Sequence, residues 1–160
     1  MSACEQIMQE QTLIILKPDA VHRHKMGRII SRFEDKGLKL AAAKFMQIPE
    51  ALARRHYAVH EGKPFFEGVV KYLSSSPVLV MVWQAEGAIQ ISRKLMGATF
   101  GFDAEPGTIR GDFGCSRGYN LIHGSDSPQS AAYEIGLYFK PEEIVDYSLA
   151  DQNWIWGRND

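Results

Sequence analysis

The chain has 160 residues, with 18 Lys plus Arg against 19 Asp plus Glu for a net charge of -1, and 45% apolar against 23% charged residues. That length suits one domain of ordinary size, and the composition is globular rather than disordered. The even charge balance argues against nucleic-acid binding through a broad cationic face, although a local cationic pocket is still allowed. In chain order, residues 12–16 (Thr-Leu-Ile-Ile-Leu) read as a strand ending at Lys17-Pro18-Asp19, because Pro18 cannot continue a central ladder. Met26, Ile29, Ile30 and Phe33 follow i, i+3, i+4, i+7, an amphipathic helix that Gly37 is placed to stop. Residues 38–46 read as a second strand, and Pro49 opens a helix through about His60. Phe66, Val69, Val70 and Leu73 form the stripe of another helix, residues 78–83 a buried strand, and Ala88, Ile91 and Leu95 a further helical stripe.

From Gly97 to Gly118 the periodicity vanishes, and six of the 14 glycines fall there. A loop of that length in a compact domain points to function, and its Phe, Ile and Arg content favours order. Residues 120–123 read as a short last strand. Asp126-Ser127-Pro128 reads as a helix start, a capping oxygen followed by Pro at the first helical position, with the helix running to about Tyr138. Tyr147, Trp154 and Trp156 are expected to anchor part of the tail. With one extra helix set aside, the order βαββαβ is that of a ferredoxin-like α+β sandwich: a four-stranded antiparallel sheet with helices, plus a long Gly-rich loop and a C-terminal tail. One domain over 1–160 is expected, with 1–10 and 157–160 as flexible ends.

The longest apolar runs fall well short of the ~20 residues a membrane helix needs. The first eleven residues hold no Lys, Arg or apolar core, so no secretory signal is expected. Cys4 and Cys115 lie far apart, and there is no Asn-x-Ser/Thr. A reducing, cytoplasmic setting with free thiols is the expectation.

Neither the Walker motif nor the dinucleotide glycine fingerprint is present, so side chains must supply the charge for any phosphate. His56 and His60 stand at i, i+4 without the zincin Glu: a metal pair or, more plainly, a pair on a helix surface. His123 ends an apolar strand and precedes Gly124-Ser125-Asp126-Ser127. A neutral imidazole beside a helix start is a competent nucleophile near an anion, but spacing alone favours a satisfied core histidine. Arg93, opposite its helix's apolar stripe, and Arg110, within Gly107-Thr108-Ile109-Arg110-Gly111-Asp112, read either as a phosphate clamp or as an exposed Arg and an Arg110–Asp112 ion pair. Phe65 and Val69, one turn apart, read as core packing or as an apolar plate on which a base stacks.

These segments resemble the nucleoside diphosphate kinases over nearly the whole chain, from about Gln11 to Trp156. The resemblance rests on Lys17-Pro18-Asp19-Ala20-Val21, Gly27-Arg28-Ile29-Ile30, His56-Tyr57, Pro64-Phe65-Phe66, Gly68-Val69-Val70-Lys71-Tyr72, Pro106-Gly107-Thr108-Ile109-Arg110-Gly111-Asp112-Phe113 and Asn120-Leu121-Ile122-His123-Gly124-Ser125-Asp126-Ser127. The last two stretches are the most specific, since the family's active-site signature is Asn-x-x-His-Gly-Ser-Asp. The resemblance implies ping-pong transfer of the terminal phosphate of a nucleoside triphosphate, usually ATP, to nucleoside diphosphates through a phosphohistidine at His123, with broad base tolerance.

It further implies that Lys17 and Asn120 hold ribose hydroxyls and neighbouring phosphate oxygens, and that Phe65 and Val69 sandwich the base. Arg93, Thr99 and Arg110 match the phosphate binders, and Tyr57 lies near the transferred phosphate. Glu134 orients the histidine, and Ser125 supports Glu134. Mg²⁺ would arrive on the nucleotide phosphates, since no carboxylate cluster is present to cage it. A homo-oligomer, a hexamer or tetramer built from dimers, is expected. Phe100-Gly101 follows Thr99 where many members have Asn-Pro, a departure in a loop that serves subunit contacts. An RNA-binding module on the same fold lacks support, because neither the aromatic strand pattern nor a basic footprint is present. A histidine phosphatase would need an Arg-His-Gly context that the sequence does not contain.

Overall fold

The computed structural model describes residues 10–157. Strands β1 (Gln11–Leu16), β2 (Lys39–Met46), β3 (Val78–Gln84) and β4 (Ile122–Gly124) form one antiparallel sheet in the order β2-β3-β1-β4. This is the ferredoxin-like α+β fold. The helices are α1 (Pro18–His22), α2 (Met26–Lys36), α3 (Glu50–His56), α4 (Phe66–Ser74), α5 (Ala88–Met96), α6 (Ile109–Phe113), α7 (Pro128–Tyr138) and α8 (Gln152–Ile155).

β1 and β3 are central, so both of their faces are covered and their sequences read as continuous apolar runs rather than alternations. Leu13, Ile15, Val80 and Val82 pack with Ala53 of α3, Val70 and Leu73 of α4 and Tyr138 of α7. Ile14, Leu16, Met81 and Trp83 pack on the opposite face with Phe33 of α2 and with Ala88 and Met96 of α5. The helices between β2 and β3, together with α7, therefore cover a second face that the bare βαββαβ pattern leaves open. Phe33 and Trp83 stack at 5.2 Å between centroids in the α2-side core. Each fully buried side chain of this size contributes about 1.5–3 kcal/mol relative to leaving it exposed.

Helix α2 stops where expected. Gly37 has φ +97°, and the Leu38 amide donates back to the Phe33 carbonyl at 3.1 Å. A Cβ on Gly37 would also lie 2.6 Å from Ile155 Cγ2, so a side chain there is both strained and obstructed. Ser127 caps α7 by accepting from the Ser130 amide, with Pro128 at the first helical position. The helix expected from Pro49 to His60 breaks instead: α3 ends at His56, Tyr57 leaves helical geometry, and a 3₁₀ turn covers Ala58–His60. β4 begins at Ile122 rather than at Asn120, because Leu121 has φ +70° and cannot continue a ladder.

The stretch from Gly97 to Gly118 is ordered. It contains a 3₁₀ turn at Gly101–Asp103 and helix α6, capped by the Thr108 hydroxyl. The tail is pinned unevenly. Lys39 donates to the Tyr147 carbonyl at 2.6 Å, the Tyr147 hydroxyl donates to the Leu40 carbonyl at 2.6 Å, and Trp156 packs against the α2-side core. Trp154 does not serve as an anchor, since it is 92% exposed. Of the ends expected to be flexible, 1–9 and 158–160 lie outside the described residues. Glu10 is held: its carboxylate accepts from the Ile89 amide and its carbonyl from the Ala85 amide.

Candidate functional site

His123 stands on β4 opposite Ile15 of β1, so its ring emerges on the face covered by α3, α4 and α7. It lines a cleft of about 550 Å³ that also receives Lys17, Tyr57, Phe65, Val69, Arg93, Thr99, Arg110, Asn120 and Glu134. Every site residue expected from the sequence lies on this cleft except Ser125, which is fully buried behind it.

Glu134 of α7 faces His123 at 2.9 and 3.0 Å from its two oxygens to Nε2, and the Ser125 hydroxyl donates to the same carboxylate at 2.9 Å. An ionised carboxylate only accepts, so Nε2 carries the proton and Nδ1 keeps the lone pair. Burial, then Lys17, Arg110 and Arg93, push His123 down to about 3, so its ring is neutral at physiological pH. Burial raises Glu134 above its usual range.

Gly124 lets β4 lie close to α5. A Cβ there would lie 2.5 Å from Met96 Sδ and 3.1 Å from Ile14 Cδ1, so a side chain at this position would have to displace the tip of buried Met96, which packs α5 against β4. That approach brings Arg93 Nη1 to 3.2 Å from the Gly124 carbonyl.

Three cations converge on the cleft. Lys17 Nζ donates to Asn120 Oδ1 at 2.7 Å, and the Asn120 amide donates to the Thr99 carbonyl at 3.0 Å. The buried Arg110 guanidinium spends its donors on backbone carbonyls of Asn120, Gly97 and Ile122. The Arg110–Asp112 ion pair does not form, because Asp112 pairs with Arg32 at 2.6 Å on the outer surface. Burial, then Arg110, lower Lys17 to about 8, and burial, then Arg93, lower Arg110 to about 10. The cations depress one another, so the cleft as built favours an anionic occupant.

Phe65, 49% exposed, and Val69 share the α4 wall at the outer end. Further apolar lining comes from Val59, in the 3₁₀ turn after α3, and from Phe100, in the stretch after α5, while Arg117 and Gly118 come from the segment after α6.

The family profile described as nucleoside diphosphate kinase matches residues 10–144. The chain belongs to the nucleoside diphosphate kinase family. It is 53% identical over 146 residues to a nucleoside diphosphate kinase of Desulfitobacterium hafniense strain Y51, covering 91% of this chain and 98% of that protein. It is also similar to a halophilic nucleoside diphosphate kinase from Halobacterium salinarum solved with CDP, at TM-score 0.90 and 48% identity, covering 92% of this chain and 98% of that one. A third likeness is to the nucleoside diphosphate kinase of Borrelia burgdorferi, solved as a transition-state mimic with vanadate and ADP, at TM-score 0.86 and 38% identity, covering 91% of this chain and 95% of that one. The activity is accordingly that of a phosphotransferase: the terminal phosphate of a nucleoside triphosphate passes to nucleoside diphosphates by a ping-pong path through a phosphohistidine.

Three features of this nucleoside diphosphate kinase escaped the sequence reading. His56 is no surface residue: it is 5% exposed, its ring sits 4.4 Å from that of His123, and neither of its nitrogens has a partner among the described residues. Burial, then the His123 neighbour, hold it well below the usual histidine range, so it packs as a neutral ring. Arg117 lies over Phe102 at 5.2 Å, and no hydrophobic periodicity signals it. Tyr72 and Asp19 are hydrogen-bonded beneath the cleft, joining helices that look unrelated in the sequence. No helix among the described residues is long and apolar enough to cross a membrane.

Proposed function

We propose that Nδ1 of His123 is the atom phosphorylated in each half-reaction. The observation that carries this assignment is the Glu134 carboxylate on Nε2, which fixes the tautomer and leaves the other nitrogen as the nucleophile. Nδ1 attacks the terminal phosphorus, the bond to the bridging oxygen breaks, and the nucleoside diphosphate leaves. Glu134 balances the positive charge that the ring acquires. A second nucleoside diphosphate then attacks the phosphorus through its own terminal oxygen and restores neutral His123. Phosphoanhydrides stand on both sides, so the exchange is nearly thermoneutral.

Phosphoryl transfer needs positioning and charge neutralisation above all. Lys17, Arg93 and Arg110 supply fixed cations around the phosphates. Asn120, bonded to Lys17, joins it at the ribose, and the Thr99 hydroxyl and Tyr57 border the transferred group. Phe65 and Val69 offer apolar surface without edge hydrogen bonds, which suits every base. Mg²⁺ rides on the nucleotide. The only cluster of three candidate donors among the described residues, His56, His123 and Glu134, is too rich in nitrogen for Mg²⁺, so no step is assigned to a protein-held ion. When bound, the metal neutralises phosphate charge.

The same reading makes the chain a single catalytic unit over 1–160, a homo-oligomer (hexamer or tetramer) built from dimers, and cytoplasmic. Exposed Phe45 on edge strand β2 and exposed Phe100 and Phe102 support association, and the free, exposed Cys115 suits a reducing compartment.

Intact-protein mass after mixing with ATP and Mg²⁺, kept from acid, tests the core of this reading. One added phosphate is expected, discharged by GDP and absent from His123→Ala. A folded, nucleotide-binding protein that takes no phosphate would sink it.

A further inference from the structure

Leu121, two residues before His123, has the left-handed φ of +70° that few residues except glycine adopt. The Ile122 amide donates across it to the Asn120 carbonyl at 2.8 Å, closing a γ-turn of the strained, positive-φ kind. This turn breaks strand alternation. In a regular strand Leu121 would share a face with His123. Here it is fully buried beside Ile122 in the opposite core, while Asn120 is released to meet Lys17 in the cleft.

The turn is held from one place. The Leu121 amide donates to Asp19 Oδ2 at 3.1 Å, and the Leu121 carbonyl accepts from the Lys17 amide at 2.8 Å. The other carboxylate oxygen of Asp19 accepts from the Tyr72 hydroxyl. Tyr72 is on α4, the helix whose N-cap, Phe65, and first turn, with Val69, form the apolar wall. One carboxylate therefore joins the Lys17 turn, the strained turn before the nucleophile and the helix at the base end.

We propose that Asp19 is a positioning residue for phosphoryl transfer: by holding the Leu121 turn and Tyr72 together it sets Lys17 and Asn120 against His123, so that a nucleotide bound by the first two presents its terminal phosphorus to the third. The proposal rests on the assignment of His123 as the nucleophile. Asp19 touches neither the ring nor the cleft surface. It acts on the distance between groups, and its loss should matter for a donor that must be held at several points and little for one that need not be.

Phosphoramidate, a small phosphate donor without base or ribose, separates the two situations. Phosphorylation of the full-length protein by ATP with Mg²⁺ and by phosphoramidate would be followed by rapid quench for the wild type, Asp19→Ala, Asp19→Asn and Tyr72→Phe. Asp19→Ala should lose at least tenfold in the saturating rate from ATP and less than twofold in the rate from phosphoramidate. Asp19→Asn, which keeps one acceptor oxygen, should recover part of the difference. Tyr72→Phe, which spares the Leu121 bond, should raise the KM for ATP more than it lowers kcat. Parallel losses with both donors, or an ATP rate within twofold of wild type in Asp19→Ala, would overturn the role of Asp19 and leave His123 as assigned. If Asp19→Ala fails to fold, the Asn and Phe variants decide, since equal loss from both donors in Asp19→Asn overturns the proposal. A wild type that accepts phosphate from neither donor would instead remove the nucleophile assignment, and this proposal with it.

Discussion

At the inner end of the cleft most polar groups other than His56 are tied down, whereas at its mouth few are. His123, Glu134 and Ser125 form one chain of hydrogen bonds; Lys17, Asn120 and the Thr99 carbonyl form another; and Arg110 is fixed by three backbone carbonyls. The mouth is made of exposed apolar surface. Val59 is 77% and Phe100 42% exposed, and Phe65 is steadied by the His60 ring at 5.2 Å and by Lys63 above it. The difference follows from the two tasks. A phosphorus atom must meet a nitrogen along one line, and misplacement by an ångström costs orders of magnitude, so directional bonds hold the inner end. A base need only be covered, and a π-face accepts any of them, so the mouth can be loose and tolerant.

The largest effect that would sharpen this contrast is at Arg110. Arg110→Ala removes the cation proposed to meet the phosphates and frees three carbonyls that hold the loop and strand, so kcat/KM should fall roughly 10²–10³-fold, the range for one preorganised donor to a developing charge. Steady-state kinetics on a variant shown to be folded would check this; a loss below fivefold would mean that the inner end is not the rigid part. Glu134→Gln keeps the shape but removes the carboxylate charge facing Nε2, and the phosphorylation rate should drop about 10–100-fold, the range seen for groups that orient metal-ligating histidines. Single-turnover mass spectrometry reads that step directly.

At the mouth, Phe65→Ala should raise KM roughly tenfold, consistent with a base-stacking contribution of about 1–3 kcal/mol, and by similar factors for purine and pyrimidine diphosphates. A large kcat change would break the division between the two ends. The smallest effect is in the pH profile. With His123 held neutral down to about 3, the acid limb belongs to Glu134, whose raised pKa lets it lose its charge as the pH falls. On the alkaline side Lys17, lowered to about 8, loses its charge as the pH rises through that value, so nucleotide affinity should weaken severalfold between pH 7 and 9. In Lys17→Arg that alkaline loss should disappear, because the guanidinium stays charged.

Much of this was legible in the residues. β1 and β3 are apolar runs, α2 ends at a glycine and α7 begins at Ser-Pro, because local burial and capping leave local patterns. The segment around His123 stands out only through a family signature; spacing alone favours a core histidine there. What the sequence determined by itself is the four strands and the longer helices α2, α4, α5 and α7, the cationic and apolar residues available to a nucleotide site, and the absence of the Walker and dinucleotide glycine motifs. Tertiary structure alone decided that Nε2 rather than Nδ1 is held by Glu134, that Asp112 pairs with Arg32 rather than Arg110, that His56 is buried against His123, and that Leu121 turns. The reason is distance along the chain. Lys17 meets Asn120 across 103 positions and Arg32 meets Asp112 across 80, separations over which a periodic pattern carries no information and only the packing of the sheet and its helices selects the partner.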